Sequence, residues 1–249
     1  RMVMTPAAAV VARDRMSLDA LTAIAPRAKG LLAIDVAFAL PYQDQSALRG
    51  GPRLRVGVNV SGMLYNEARS GRNRFGLPFD YAELMDRFIA GLAQRPDVEV
   101  NLLTHVVEPS ERVDDDGQVA DALAAAWPGA VRVPDFAGPS EAKSFISGLD
   151  FLVSGRMHAC IAAFSSGTPV VPVSYSRKFT GLFGLLDYPH LIPPTGMGLD
   201  EALAFLERSL ADRGPLARDI AAAGPGIERG LNAYRDVLRD VFTSCGGRP

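Results

Sequence analysis

The sequence has few of the features that would tie a fold to a disulfide, a metal or a membrane. Its two cysteines, Cys160 and Cys245, form no CxxC pair, and no His/Cys spacing matches a zinc site. No run approaches the roughly 20 apolar residues that a membrane helix needs. The apolar run at 7–12 is followed by charged residues where a signal-peptide cleavage site would stand. We therefore expect no cofactor, no bound metal, no transmembrane or targeting segment, and a cytoplasmic location.

Several motifs of nucleotide and hydrolase chemistry are also missing. The chain has no P-loop lysine motif, no GxGxxG turn and no GxSxG elbow. These absences argue against P-loop phosphoryl transfer, hydride transfer and serine hydrolysis. The formal net charge of −2 gives no general attraction to nucleic acid or to anionic membranes, so a local cluster must hold any anionic ligand.

What is present is a regular alternation of apolar strands and amphipathic helices. With 249 residues and an apolar share of 48%, the chain can bury a large core. The strands are continuously apolar, which is typical of a parallel sheet covered on both faces. The alternation predicts strands at Leu54–Val60, Val98–Thr104, Val131–Pro134, Phe151–Ser154 and Pro169–Tyr175, and helices at Tyr81–Leu92, Gly117–Ala126, Ser140–Leu149 and Met157–Ser165.

The two ends of the chain give weaker patterns. Val10–Ala12 and Leu31–Ile34 predict short strands around a helix with Ser17 as its N-cap. The polar, glycine-rich residues 43–52 predict a linker. From Leu199 onward the pattern predicts helices that are broken around Pro215 and again around residues 224–226.

Ligands of parallel sheets bind beyond the carboxyl ends of the strands, so residues that follow strands are the candidate site. Ser154 and Gly155 end one strand, and Gly155 permits a tight turn. Arg156 and His158 then stand in the first turn of a helix, where backbone N–H groups attract anions. A phosphate or carboxylate site is one interpretation. The other is that Arg156 forms a salt bridge to a neighbouring strand and His158 caps a carbonyl.

Other polar residues point to the same edge. Lys178 leaves the next strand close to Tyr175 and could reach the same anion, while Arg177 fits an exposed loop. The aspartates 114–116 could bind a divalent ion or sugar hydroxyls, or could form an exposed loop and a helix N-cap. His190 beside Pro189 is expected to be structural.

The motifs around this edge resemble those of the polysaccharide pyruvyl transferase family. The segment from Ser154 to His158, the sequence GTPVV at 167–171 and the later Tyr175 and Lys178 match its C-terminal signature. Further matches are RDxxS at 13–17, the strand end at Asn59 and His105. The sequence DVAF at 35–38 also matches, with Val36 in place of the family's proline.

The resemblance implies a fold like that of the twin-Rossmann glycosyltransferases of the B type. Residues 1–50 would be the remnant of an N-terminal Rossmann-like domain plus linker. Residues 51–249 would be a C-terminal Rossmann-like domain that binds the donor, with helices at its end. The family transfers the pyruvyl group of phosphoenolpyruvate onto two hydroxyls of a sugar or lipid-linked glycan, as a ketal, in surface polysaccharide biosynthesis.

The resemblance also suggests roles for individual residues. His158 would be the general acid/base, with His105 as second candidate. Arg156 and Lys178 would bind the donor, and Asn59 would orient a hydroxyl. Ser154, Gly155 and Tyr175 would complete the substrate site.

Two other functions stay open. One is a B-type glycosyltransferase with a nucleotide-sugar donor, although 154–186 lacks the glutamate such enzymes place near the donor helix. The other is a non-catalytic binding domain or half-enzyme. No nucleic-acid partner is expected, and a homo-oligomer is compatible with the sequence.

Overall fold

Two parallel sheets form the framework of this computed structural model, which describes residues 3–108, 110 and 113–244. The smaller sheet pairs β1 with β2, and helix α1 connects them. The larger sheet has the order β5-β4-β3-β6-β7. The strands are β1 Val10–Ala12, β2 Gly30–Leu32, β3 Leu54–Asn59, β4 Val98–Leu102, β5 Ala130–Arg132, β6 Phe151–Ser154 and β7 Val170–Pro172.

Helices cover both faces of the larger sheet, because its strands are apolar on both faces. One core cluster joins the sheet to α2, α3, α4 and α8, and the other joins it to α5, α6, α7 and α9. The helices are α1 Arg15–Ile24, α2 Gly62–Arg69, α3 Tyr81–Ala93, α4 Asp116–Ala126, α5 Pro139–Ser147, α6 Met157–Ser165, α7 Arg177–Leu185, α8 Leu199–Ala211 and α9 Gly214–Ser244. Within the described part of the chain, no helix is both long and apolar enough to cross a membrane.

The strand order contains a switch point. The chain runs outward from β3 to β4 and β5, then returns to place β6 on the other side of β3. Asn59 at the end of β3 lies opposite Ser154 at the end of β6. The crevice beyond these two strand ends is where ligands of doubly wound sheets bind.

Several predicted boundaries were wrong. Asp14, not Ser17, caps α1, and its carboxylate accepts from the Ser17 backbone N at 2.7 Å. Gly138, not Ser140, precedes α5, because Pro139 occupies its first turn. The break at Pro215 is real, but α9 continues through Pro225. Helix α2 was missed, and α7 occupies residues expected to be a loop.

Residues 43–52, predicted to be a linker, are fixed along α5. The backbone N atoms of Gln43 and Gln45 donate to Ser144 and Ser147 at 2.9 and 2.8 Å. Arg49 donates to the carbonyls of residues 147, 166 and 167 and to the Thr168 hydroxyl, at 2.8–2.9 Å. This segment is therefore packed structure rather than a loose connection.

We expect Arg49→Ala to lower the free energy of unfolding by about 2–3 kcal/mol, because it leaves several carbonyls without their donor. Urea unfolding followed by circular dichroism measures this loss. Arg95→Ala is the matched control, since Arg95 is exposed and pairs with nearby Asp97. An equal loss in the two variants would contradict the role of Arg49.

Candidate functional site

A buried polar network closes the crevice between β3 and β6. Asn59 is fully buried, and its Nδ2 donates to the Leu103 carbonyl and to Asp116, both at 3.0 Å. Its Oδ1 accepts from the Ser154 hydroxyl at 2.7 Å, and that hydroxyl accepts from the backbone N of Arg156 at 2.9 Å. Asn59 and Ser154 therefore shape the turn. Both side chains are buried and bonded to the protein, and their contact with a substrate stays a prediction.

Asp116 is the centre of this network. Its Oδ1 accepts from the Gly62 backbone N at 2.9 Å and from Nη2 and Nε of Arg156 at 2.6 and 3.0 Å. Its Oδ2 accepts from the backbone N atoms of His105 and Val106, both at 3.1 Å. One carboxylate thus joins the starts of α2, α4 and α6 to the segment that follows β4.

Arg156 is held by two carboxylates. Its side chain is 9% exposed, and its Nη2 also donates to the carboxylate and the carbonyl of Asp114 at 2.6 and 2.8 Å. Burial lowers the pKa of Arg156, but the hydrogen bonds and charges of Asp116 and Asp114 outweigh it and raise the pKa. Its hydrogen bonds to described residues come from Nε and Nη2.

The three aspartates match one sequence interpretation in part, because one of them is the predicted N-cap while Asp116 is buried. Asp115 is the N-cap of α4, and its carboxylate accepts from the Gly117 backbone N at 2.8 Å. Asp116 is buried rather than exposed, and the Asp114 carboxylate is taken up by Arg156. No cluster of three His, Cys, Asp or Glu that could hold a metal occurs among the residues that the structure describes.

The two candidate histidines lie side by side. The rings of His105 and His158 are nearly parallel, with centroids 6.4 Å apart. His158 is exposed in the first turn of α6, whereas His105 is partly buried. Burial, together with the charges of His158 and Arg156, lowers the pKa of His105 to about 4 against the opposing charge of Asp116.

Both histidines line a groove of about 550 Å³. Its opposite wall is the segment that follows β2, from Asp35 to Pro41. Asp35 is held by Arg13, with 2.6 Å between Oδ2 and Nη1, and caps the backbone N of Ala37 at 3.0 Å. The groove is therefore mostly apolar, with imidazole groups along one side.

Tyr175 and Lys178 flank the same edge from the end of β7. The Tyr175 ring packs against Phe75 and Phe179, with centroids 5.1 and 5.4 Å away, and burial raises its pKa. Lys178 and Arg177 are exposed in the first turn of α7. Arg177 is thus exposed as predicted, but on a helix. The Ser176 hydroxyl at the start of α7 is buried and has no hydrogen-bond partner among the described residues.

Packing within the protein requires a glycine at position 155. A Cβ there would lie 2.8 Å from the Tyr81 hydroxyl, which accepts from the backbone N of Ser61 at 3.1 Å. Nothing in the sequence pattern indicated Tyr81 or Ser61. His190 lies apart from the edge, 2.7 Å from Asp219 and packed on Tyr188.

We expect Asp116→Asn to lower the free energy of unfolding by about 3–5 kcal/mol, because it leaves the buried Arg156 charge without its main partner. Urea unfolding measures this loss. Asp121→Asn, on the exposed side of α4, should change it by less than about 1 kcal/mol. A loss in Asp116→Asn no larger than in this control would show that the ion pair does not stabilise the fold.

The pH dependence of stability tests His105. Its folded pKa of about 4 lies below the ordinary 6.5, so the neutral form is favoured on folding. The resulting stability is fully present above pH 6.5 and is lost as the pH falls towards 4. In urea unfolding between about pH 7 and about pH 4.5, wild type should lose more stability than His105→Asn. Parallel losses in the two proteins would contradict the lowered pKa.

Solved structures of known proteins share this architecture. The chain superposes on sucrose-phosphate synthase (tll1590) from Thermosynechococcus elongatus with a TM-score of 0.61 and 14% identity, over 98% of this chain and 60% of that one. For the accessory secretory protein 1, 2 and 3 structure from Streptococcus pneumoniae the TM-score is 0.57 and the identity 10%, over 96% and 44%. At these identities the likeness concerns the fold alone. It confirms the predicted α/β fold, a parallel Rossmann-like sheet resembling half of a B-type glycosyltransferase.

The chain spans 60% and 44% of the lengths of these two proteins. Comparison with curated proteins gives no match. The sequence model of one family, polysaccharide pyruvyl transferase, matches residues 1–177. This range is more than half of the chain and contains Asn59, His105, Arg156 and His158. The chain therefore belongs to the polysaccharide pyruvyl transferase family.

Proposed function

We propose that this chain binds phosphoenolpyruvate and contributes to the transfer of its pyruvyl group onto two hydroxyls of a sugar. The products are a pyruvate ketal and inorganic phosphate. The acceptor is a glycan or lipid-linked glycan that is made in the cytoplasm for a surface polysaccharide. Family membership supports a transferase of this kind. The donor and the ketal chemistry are the steps proposed here.

The observation that carries the proposal is the position of Arg156. The guanidinium stands at the switch point of the sheet, at the start of α6, and two carboxylates hold it in one orientation. Phosphoenolpyruvate has a phosphate and a carboxylate, so its site needs donors for two anions. Nη1 of Arg156 and the N-terminus of α6 would meet one, and Lys178 with the start of α7 would meet the other.

The histidines would divide the proton transfers. His158 donates a proton to the methylene carbon C3 of phosphoenolpyruvate, and C2 gains oxocarbenium character. A sugar hydroxyl attacks C2 and loses its proton to His105, which is neutral at physiological pH because its pKa is about 4. A second hydroxyl then attacks C2 and loses its proton to His158, which the first step left neutral. The bond from C2 to the phosphate oxygen breaks, phosphate leaves with that electron pair, and His105 gives its proton to the departing phosphate.

Donor binding is tested by thermal unfolding with phosphoenolpyruvate. At about 100 times its dissociation constant the ligand should add about 2.7 kcal/mol, or about 5–10 °C in midpoint for a chain of this size. Lys178→Ala should lose much of this shift, whereas Arg177→Ala, one residue away and also exposed, should keep it. Arg156→Lys should weaken donor binding by several kcal/mol at most, because lysine lacks the planar fork.

The outcomes separate the functions. Equal shifts of the unfolding midpoint in wild type and in all variants would show that Arg156 and Lys178 do not bind the donor. A shift with a nucleotide sugar but not with phosphoenolpyruvate would indicate glycosyl transfer instead. No shift with either ligand in wild type would favour a half-enzyme that lacks donor binding of its own.

For turnover, we expect His158→Ala to lower the rate of phosphate release by about 10² to 10⁴ with little change in donor affinity. The reaction needs an acceptor glycan and whatever further domain the active protein contains. A near-normal rate would rule out proton transfer by His158. His190→Ala is the matched control, because His190 lies away from the sheet edge and pairs with Asp219.

A further inference from the structure

We propose a second binding site, for one neutral sugar residue, in a cavity built around Glu67. The cavity measures about 340 Å³ and lies between α2, the loop at 70–80 and the start of α3. The proposal rests on the proposed function in one respect. This sugar would be a unit of the glycan acceptor, adjacent to the sugar that receives the ketal.

Glu67 has a buried carboxylate oxygen that accepts no hydrogen bond from the described residues. The residue is 6% exposed, and its Oε2 is buried without a hydrogen-bond partner among the residues that the structure describes. Nε of Arg72 and Nε of Arg74 are each 3.6 Å from a carboxylate oxygen, too far for a hydrogen bond. A buried carboxylate oxygen left unpaired destabilises a protein, and a ligand O–H would satisfy it.

The surrounding groups select the chemistry of the ligand. The two arginines are largely exposed and can turn their N–H groups towards a ligand oxygen. A sugar hydroxyl both donates and accepts, so adjacent hydroxyls could bind Glu67 and an arginine together. Glu67, Asp80 and Arg72 line the cavity and Arg74 stands beside Glu67, so the formal charges of the two acids and two arginines cancel and favour neither an anion nor a cation. A neutral polyol can bond to both kinds of group.

The walls and the size also fit a pyranose ring. Phe75, Leu77 and Phe79 line the cavity with apolar surface, against which the C–H face of a sugar can pack. The loop is preformed, because Asn73 bonds to both the N and the O of Leu77, at 3.0 and 2.7 Å. The volume lies near the lower end of the about 300–1,000 Å³ of small-molecule sites, enough for one monosaccharide.

The cavity adjoins the candidate donor site. Phe75 lines it and packs on Tyr175, with ring centroids 5.1 Å apart. Leu64 and Tyr81 line it as well, and both stand close to Gly155 on their other side. Leu64 and Tyr81 are buried, so a glycan with one sugar beside Arg156 would pass over the Phe75–Tyr175 pair to bring a neighbouring unit to this cavity.

Saturation-transfer NMR with the full chain tests the site, using the methyl pyranosides of glucose, galactose and mannose as probes. We expect at least one to bind wild type, and Glu67→Gln to raise its dissociation constant about tenfold or more, the scale of a hydrogen bond to a charged group. Glu83→Gln makes the same change on the exposed face of α3 and should leave binding unchanged.

The site is ruled out if none of the three pyranosides binds, or if Glu67→Gln binds as wild type does. If Glu67→Gln does not fold, Arg72→Ala decides, since unchanged sugar binding in that variant would also overturn the site. Phosphoenolpyruvate is titrated in parallel. If phosphoenolpyruvate binds and no pyranoside does, only the sugar site is contradicted. If a pyranoside binds and phosphoenolpyruvate does not, only the proposed donor is contradicted.

Discussion

The ion pair between Asp116 and Arg156 is the interaction on which the ligand-facing edge of this protein depends. Four segments that are distant in sequence meet at one carboxylate: the starts of α2, α4 and α6 and the chain after β4. Taking both charges out of water is costly, so the net stabilisation by the intact pair is small. Its main effect is to hold these segments in one arrangement. It fixes where the segments after β3, β4 and β6 begin, and hence the positions of His105, Arg156 and His158.

The same edge has a buried layer and an exposed layer of polar groups. Asn59, Ser154 and Asp116 are buried and hydrogen-bonded, while His158 and Lys178 are exposed. Arg156 lies between the two layers and is held by Asp114 and Asp116. Such layering is how a site gains rigid geometry without losing access, because buried polar groups that are fully paired resist rearrangement.

Much of the framework is predictable from sequence, and the failures have physical causes. Strand Phe151–Ser154 and helix Met157–Ser165 were predicted with their observed bounds because long apolar runs specify buried elements. Helix α2 was missed because it opens with glycine and has few apolar residues. Asp116 looked like a surface aspartate because its partners, Asn59 and Arg156, are 57 and 40 residues away. Long-range pairing of this kind leaves no local signal.

Helix α9 packs on the core of the larger sheet through Ile220 and Leu231 and also contacts the smaller sheet. Its Gly230 lies against Ile34 after β2, and its last turns, at Val237 and Val241, approach Val11 of β1. At 31 residues it is a rod of about 46 Å. Pro225 cannot donate the backbone hydrogen bond expected there, so the rod bends most easily at that point. A bend of the helix at this proline would fall beside Asp219, which lines the same cavity as Pro225.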